Sequence, residues 1–543
     1  LEGRTAFWPT LQEWLELPDE AIANETPPVP LDEIALRPPR LDDPQLCALR
    51  KLLGEEAVRT DTRCRVEHAY GKSYRDLVRI RAGHIPNPPD VVVYPADQSQ
   101  VVMTLAWAAD RDIGVIPFGG GSSVLGGVEP EPGDHPTLTL DLAKLDRVLA
   151  VDPVSRTARI QAGATGPEVE AQLNEQGFSL GQFPQSFEFS TLGGWIVTRS
   201  AGQNSIGYGK IEHMTQAVRV VTPVGIIETK NTPATAAGPG LLEMLIGSEG
   251  SYGILTEATM RVHPLPAVQD YRGILFHTLE DGLSAFRDLM QSPALRPAII
   301  RLSDGPETAA YAVMSHEHHG VRKLIDAVLA RYLNAQGFDL TGGSTLMTLG
   351  FDGRPAWTAG QWDTALEICR DHRGLSLGRT VGESWKRDRY AQPYLRDTLL
   401  GHGVIVDTLE TATTWSNLMN LYDSMVSAMK ATIKTTDGGP GYVMTHVSHA
   451  YAHGASLYST FLGRQVADPD PLAKQAQWQE IKHATTEAIL AAGGTLTHHH
   501  GIGRDHAPWL SEEIGRLGVR ALRALKQTFD PDNILNPGIM LNP

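Results

Sequence analysis

Pro117-Phe-Gly-Gly-Gly-Ser-Ser-Val124 sets three glycines and two serines directly after the apolar run Gly114-Val-Ile116. Glycine carries no Cβ, so successive main-chain amides can turn towards one anion while the hydroxyls add further donors. Two later stretches repeat the chemistry: Pro184-Gln-Ser-Phe-Glu-Phe-Ser-Thr-Leu-Gly-Gly-Trp195 and Gly247-Ser-Glu-Gly-Ser-Tyr-Gly-Ile-Leu-Thr-Glu257. Any one of them reads as ordinary turn punctuation. All three in one region, with hydroxyls from Ser122, Ser123, Ser190, Thr191 and Ser248, point to a shared diphosphate site. No Gly-x-x-x-x-Gly-Lys-Ser/Thr occurs, nor a Gly-x-Gly-x-x-Gly between strand and helix, so the residues alone specify a dinucleotide or something similar.

The segments around these loops alternate in period. Asp90-Val-Val-Val-Tyr94 is a β-branched run, Ser99 to Ala109 has helical spacing, and Gly114 to Pro117 returns to strand, which puts the first loop at a strand end. Strands are expected at 137–140, 147–151 and 157–161, a helix over 167–176 stopped by Gly177, a hairpin over 219–228 and a last strand over 253–262. After Pro264-Leu-Pro266 the pattern changes to strands at 273–276, 298–302 and 344–349, interleaved with helices over 279–290, 321–336 and 358–370. That alternation suits an antiparallel sheet covered by helices. The stretch 382–401, rich in Arg, Trp and Tyr, reads as loop or helix able to line a site, and helices are expected over 475–492 and 511–528. The fold class is therefore α+β, with a proline-punctuated arm over 1–86, a cofactor domain over 87–266, a substrate or cap domain over 267–500 and a closing segment over 501–543.

Bulk properties exclude several functions. A chain of 543 residues with a formal charge of -16 repels nucleic acid and anionic membrane on average, although a local basic pocket remains compatible with it. Three scattered cysteines, Cys47, Cys64 and Cys369, form no disulfide framework and fit a reducing compartment. No apolar run is long enough to span a bilayer and no signal pattern opens the chain, so a cytoplasmic location is expected, with peripheral membrane contact through an apolar cap compatible with it.

Outside the loops the sharpest signal is His498-His-His500. In an extended segment His498 and His500 share a face, where they can bind metal, relay a proton or pack. No metal is expected, because no second ligand pair at a recognised spacing accompanies them; His316-Glu-His-His319 reads as a solvated loop. Arg301 ends an apolar strand and must have an anionic partner, either Asp304 or a substrate phosphate or carboxylate. Arg396 poses the same question with Asp397, and Tyr458 reads as one more strand aromatic.

Pro-Phe-Gly-Gly-Gly-Ser-Ser-Val, Ser-Phe-Glu-Phe-Ser-Thr-Leu-Gly-Gly-Trp, Gly-Ser-Glu-Gly and His-His-His-Gly-Ile-Gly together resemble the flavoproteins of the vanillyl-alcohol-oxidase type, and more narrowly the alkyldihydroxyacetonephosphate synthases, over about Phe7 to Pro537. The resemblance implies a two-subdomain FAD-binding domain of the PCMH type plus the cap. It implies FAD held by Pro117, Gly119, Gly120, Gly121, Ser122 and Ser123; by Pro184, Ser186, Ser190, Thr191, Gly193 and Gly194; and by Ser248, Glu249, Gly250 and Ile254. With no His or Cys in Gly119–Gly127, the flavin is expected to be non-covalent. The family's reaction joins a fatty alcohol to acyl-dihydroxyacetone phosphate, releasing the fatty acid with no net redox change, in ether lipid synthesis. Tyr458, Arg301 and the histidines 498, 499 and 500 then become catalytic, and Arg396 and Gln182 substrate-binding. One departure stands out: where the synthases have a histidine after a glycine, this chain has Gly181-Gln182, and glutamine cannot shuttle a proton. A homodimer and lipid substrates are expected, with no nucleic-acid partner. An FAD-dependent oxidase or dehydrogenase of a hydroxy acid or alcohol is the alternative, and a non-enzymatic binding protein a third reading.

Overall fold

The computed structural model describes residues 6–314, 331–391 and 394–541. It divides into two units, one of Pro28–Gly202, Tyr208–Leu265 and His499–Pro543, the other of Leu1–Pro27, Gln203–Gly207 and Pro266–His498.

In the first unit, β1 (Val58–Arg59), β2 (Val91–Val93), β3 (Gly114–Phe118) and β4 (Thr137–Asp141) make a sheet in the order β1-β2-β4-β3. The strands β2, β4 and β3 run parallel. Parallel strands are buried on both faces, and accordingly every residue of β2 and β4 is buried. The helix Gln98–Ala109, capped by the Asp97 carboxylate at the Gln100 amide, is the crossover between β2 and β3. A second, antiparallel sheet follows: β5 (Val148–Asp152), β6 (Thr157–Gln161), β7 (Thr215–Thr222), β8 (Gly225–Glu228) and β9 (Ile254–Arg261), in the order β5-β6-β9-β7-β8. The expected hairpin is the β7–β8 pair. One apolar core, with Leu105, Val115, Leu140, Ile160, Trp195, Val221 and Ile254 among its members, joins both sheets and takes in Ile534 and Leu535 from the C-terminal stretch.

Directly under the first glycine loop lies a buried ion pair. His68 Nε2 stands 2.9 Å from an Asp141 oxygen at the end of β4, and the imidazole lies 4.4 Å, centroid to centroid, from the Phe118 ring at the end of β3. Burial alone would lower the imidazole's pKa, but the hydrogen bond to Asp141 and bonds to Cys64 raise it to about 10. A folded pKa above the unfolded one contributes stability that is complete below about 6.5 and disappears as pH rises through about 10. We expect the melting temperature to fall across that window and the fall to flatten in His68→Gln; equal slopes in the two proteins would remove the pair from the account.

The second unit is built on a seven-stranded, wholly antiparallel sheet: β10 (Val268–Phe276), β11 (Ile299–Ser303), β12 (Thr345–Gly353), β13 (Leu375–Gly378), β14 (Val404–Thr414), β15 (Tyr442–Tyr451) and β16 (Gly454–Arg464). Their order is β13-β10-β12-β11-β15-β16-β14. Helices Leu279–Gln291, Pro355–Asp371, Leu418–Thr435 and Pro471–Ala491 accompany it. Arg379–Asp388 and Leu395–Gly401 are the helices of the Arg- and Tyr-rich stretch. The His316–His319 cluster, and the greater part of the helix expected over 321–336, lie outside the described residues.

Candidate active site

The first glycine stretch follows β3, and its geometry forbids side chains. An added Cβ would stand 2.3 Å from Thr191 Oγ1 at Gly119 and 1.7 Å from the Phe189 carbonyl oxygen at Gly120, while Gly121 has φ 60°. The first and second stretches are therefore pressed together main chain to main chain. Among the described residues, nothing accepts a hydrogen bond from the amides of Gly119, Gly120, Gly121 and Ser122. Four consecutive unsatisfied donors with no Cβ on three of them are suited to cradle an anion.

The second stretch has spent most of its polar groups on itself. Ser190 Oγ donates to the Ser186 carbonyl and accepts from Trp195 Nε1 at 2.7 Å, and Thr191 Oγ1 accepts from the Gly194 amide at 3.4 Å. The Gly193 amide donates to Ala162, and Pro184 accepts from the Phe187 amide. Gln182 is buried, with Nε2 at 3.4 Å from Ser200 Oγ and Oε1 unsatisfied among the described residues. In the third stretch a Cβ on Gly250 would meet the Pro117 ring at 2.5 Å, and Ile254 is a core residue of β9. Ser248 is buried, and Ser251, which sequence reasoning passed over, buries an unsatisfied hydroxyl. Glu249 accepts from the amides of Ile502 and Gly503; burial pushes its carboxyl up to about 7 against the lowering effect of those two bonds.

In the other unit the antiparallel register gathers polar side chains on one patch of sheet. Tyr458 on β16 pairs with Glu410 on β14 and with His446 on β15. Its ring stacks on His446 at 5.0 Å, and its hydroxyl donates to Thr408 Oγ1 at 3.2 Å. Burial pushes the phenol up to about 12, so it is a neutral donor throughout the working pH range. Arg301 on β11 is buried against Glu307 at 2.8 Å, not against the expected Asp304. Asp304 instead accepts from the Glu307 and Thr445 amides and from the Tyr422 hydroxyl. His446 Nδ1 lies 3.1 Å from Arg301 Nη2 and 2.9 Å from Glu307 Oε1, able to accept from the one or donate to the other. Burial would raise the Glu307 carboxyl, but the Arg301 guanidinium and His446 hold it at about 2.

Arg396 approaches Asp407 at 3.9 Å, its one ion pair among the described residues, and makes none with Asp397. Asp407 is occupied otherwise, by the Trp478 indole at 2.5 Å and the Thr408 amide at 2.8 Å. A guanidinium one-fifth exposed and so loosely paired keeps donors for an anion. The histidine tract runs through bends, not the extended segment in which His498 and His500 would share a face. His498 Nε2 lies 2.7 Å from the Tyr451 hydroxyl, with its amide on Glu410 at 2.6 Å, and its ring is stacked 5.3 Å from His449, whose Nδ1 is 2.7 Å from Ser205 Oγ. The rings of His499 and His500 meet edge to face at 4.6 Å.

Comparison with known proteins agrees with both halves of this picture. Residues 89–230 match the family model described as "FAD binding domain", and 265–540 match "FAD linked oxidases, C-terminal domain". The chain is 36% identical to alkyldihydroxyacetonephosphate synthase of Dictyostelium discoideum, covering 96% of this chain and 85% of that one. It is 35% identical to the synthase of Trypanosoma brucei brucei, over 97% and 86%. This chain belongs to the alkyldihydroxyacetonephosphate synthase family. A solved alkyldihydroxyacetonephosphate synthase superposes with a TM-score of 0.83 at 33% identity, over 98% of this chain and 92% of the other.

Membership of the synthase family makes FAD the cofactor, and the residues present fit it. Four unsatisfied amides in series suit a diphosphate, and the buried orphans Gln182 Oε1 and Ser251 Oγ are the kind of group a bound ligand satisfies. Sequence reasoning missed Glu307, His446, His449, Glu410 and Thr408. For the four on β14 and β15 the signal was the placement of charged and hydroxyl residues inside otherwise apolar strands; Glu307 stands in the helix Gly305–Met314.

Proposed function

We propose that this protein forms the ether bond of alkyl-dihydroxyacetone phosphate, exchanging the acyl chain of acyl-dihydroxyacetone phosphate for a fatty alcohol in an FAD-dependent reaction without net redox change. Membership of the synthase family along nearly the whole chain carries this reading. The cradle amides of Gly119–Ser122 hold the cofactor diphosphate. Arg396, with donors to spare, takes the substrate phosphate. An imidazole of His498–His500 removes a proton from the carbon beside the ketone, which a neutral imidazole can take and later return. Tyr458, a neutral phenol, donates to a substrate oxygen as the carboxylate leaves with both its oxygens and the alkoxy oxygen takes its place on the same carbon. Arg301, fixed by Glu307, keeps positive charge beside that phenol. FAD, which the amides of Gly119–Ser122 would hold, would supply an electrophilic ring to the site.

Arg396→Ala is expected to raise KM for the phosphorylated substrate by roughly 10–100-fold, the loss of a charge-assisted pair, and to leave an unphosphorylated analogue within about twofold. Equal effects on both would remove the phosphate role. The second reading, an FAD-linked oxidase or dehydrogenase, draws on the C-terminal family model. Anaerobic turnover separates the two: a redox enzyme ends with reduced flavin, whereas the exchange ends with the flavin oxidised. Fatty substrates favour peripheral contact with a lipid surface; a cytoplasmic location and a homodimer are further parts of the proposal. Among the described residues no helix is long and apolar enough to cross a membrane.

A further inference from the structure

Glu249 belongs to a glycine-rich stretch whose residues were expected to touch the cofactor, yet both of its oxygens are committed to protein. Oε1 accepts from the Ile502 amide at 2.5 Å and Oε2 from the Gly503 amide at 2.7 Å. Its own carbonyl accepts from Asn536 Nδ2 at 2.7 Å, and that same nitrogen reaches the Gly127 carbonyl at 3.2 Å. The Gly127 amide donates in turn to Ser123 Oγ. A carboxylate beside a diphosphate would repel it; here the carboxylate's acceptor sites are filled by amides.

The segment so gripped has little stiffness of its own. Gly501 has φ 90° and Gly503 φ 57°, and a Cβ on Gly503 would stand 2.1 Å from the Leu125 carbonyl oxygen. Two left-handed glycines leave a backbone many alternatives, and the two amide bonds to one buried carboxylate select among them. The same device precedes the tract, where Glu410 accepts from the Thr497 hydroxyl at 2.5 Å and the His498 amide at 2.6 Å.

We propose that Glu249 is a positioning residue, fixing the backbone just after the histidine tract and so setting where the imidazoles of His499 and His500 stand. The proposal rests on the reading above in which that tract supplies the base. Glu249→Gln preserves volume but turns an NH2 group against one of the two amides.

The test uses the full-length, FAD-loaded protein. In Glu249→Gln, flavin content per chain is expected to equal the parent's, amide hydrogen exchange over 499–503 to speed up at least about tenfold, and kcat to fall about 10–100-fold with KM within about twofold, as for a small misplacement of a catalytic group. Gly501→Ala attacks the same clamp from its other side, since its Cβ would come 3.0 Å from Glu249 Oε1, and is expected to give the same signature should the first variant fold poorly. Loss of FAD with unchanged exchange would make Glu249 a cofactor contact and overturn the proposal, as would parental exchange and parental kcat. Parental turnover in each of His498→Ala, His499→Ala and His500→Ala would overturn the base assignment beneath it, an outcome the exchange data keep separate from failure of the clamp.

Discussion

Gly120→Ala is expected to give a folded but colourless protein without turnover. The new Cβ would lie 1.7 Å from the Phe189 carbonyl oxygen, a main-chain atom that cannot swing aside as a side-chain end would. The first and second glycine-rich stretches must separate, and the amides of Gly119–Ser122 then no longer converge. Overpacking of this kind costs about 1–3 kcal/mol or more, and it falls on the segment proposed to hold the diphosphate. FAD titration of the variant should show affinity weakened by at least about a hundredfold, which is about 2.7 kcal/mol. Gly114→Ala, at the start of the strand that leads into the loop, is the control: its Cβ would meet no neighbour nearer than 3.5 Å, and flavin should be retained. Parental FAD affinity in Gly120→Ala would show that the cradle lies elsewhere.

Tyr458→Phe has the opposite signature. The hydroxyl's bond to Thr408 is worth only about 1 kcal/mol to the fold, and the ring keeps its stack on His446. Melting temperature and flavin content should therefore stay near parental values. Turnover should fall by about 10²–10⁴, the usual contribution of a positioned acid or base. Because burial holds the phenol's pKa near 12, the deficit should be the same at every pH from about 6 to 9. A loss of turnover matched by an equal loss of flavin would make the residue structural.

The parts of the fold that follow from local pattern were legible. Val91–Val93, the Gln98–Ala109 crossover and the hairpin at Thr215–Glu228 each carry a period or turn of their own. β14 and β15 carry none, because Asp407, Glu410, His446 and His449 occupy positions where a buried strand ordinarily has apolar side chains. Those side chains are buried because they bond to one another's neighbours: Asp407 to Trp478, Glu410 to Thr497, His446 to Glu307 and His449 to Ser205. Local pattern thus failed where a polar network overrides it. The close approach of the glycine stretches was readable because the absence of Cβ is written in the sequence. The pairing of Arg301 with Glu307 instead of Asp304 was not, since it depends on how the helix Gly305–Met314 returns against β11. Likewise Glu249 stands in a cofactor-like motif, and only the placement of Ile502 and Gly503 shows what its oxygens hold.

Ether formation by this chain without consumption of redox equivalents can be tested in one anaerobic incubation. FAD-loaded protein is mixed with acyl-dihydroxyacetone phosphate and a labelled fatty alcohol, and the products are analysed while the flavin spectrum is followed. The expected result is label in alkyl-dihydroxyacetone phosphate, one equivalent of free fatty acid for each ether formed, and flavin still oxidised at the end. Reduced flavin with the label recovered in an aldehyde or acid, and no ether, would contradict it.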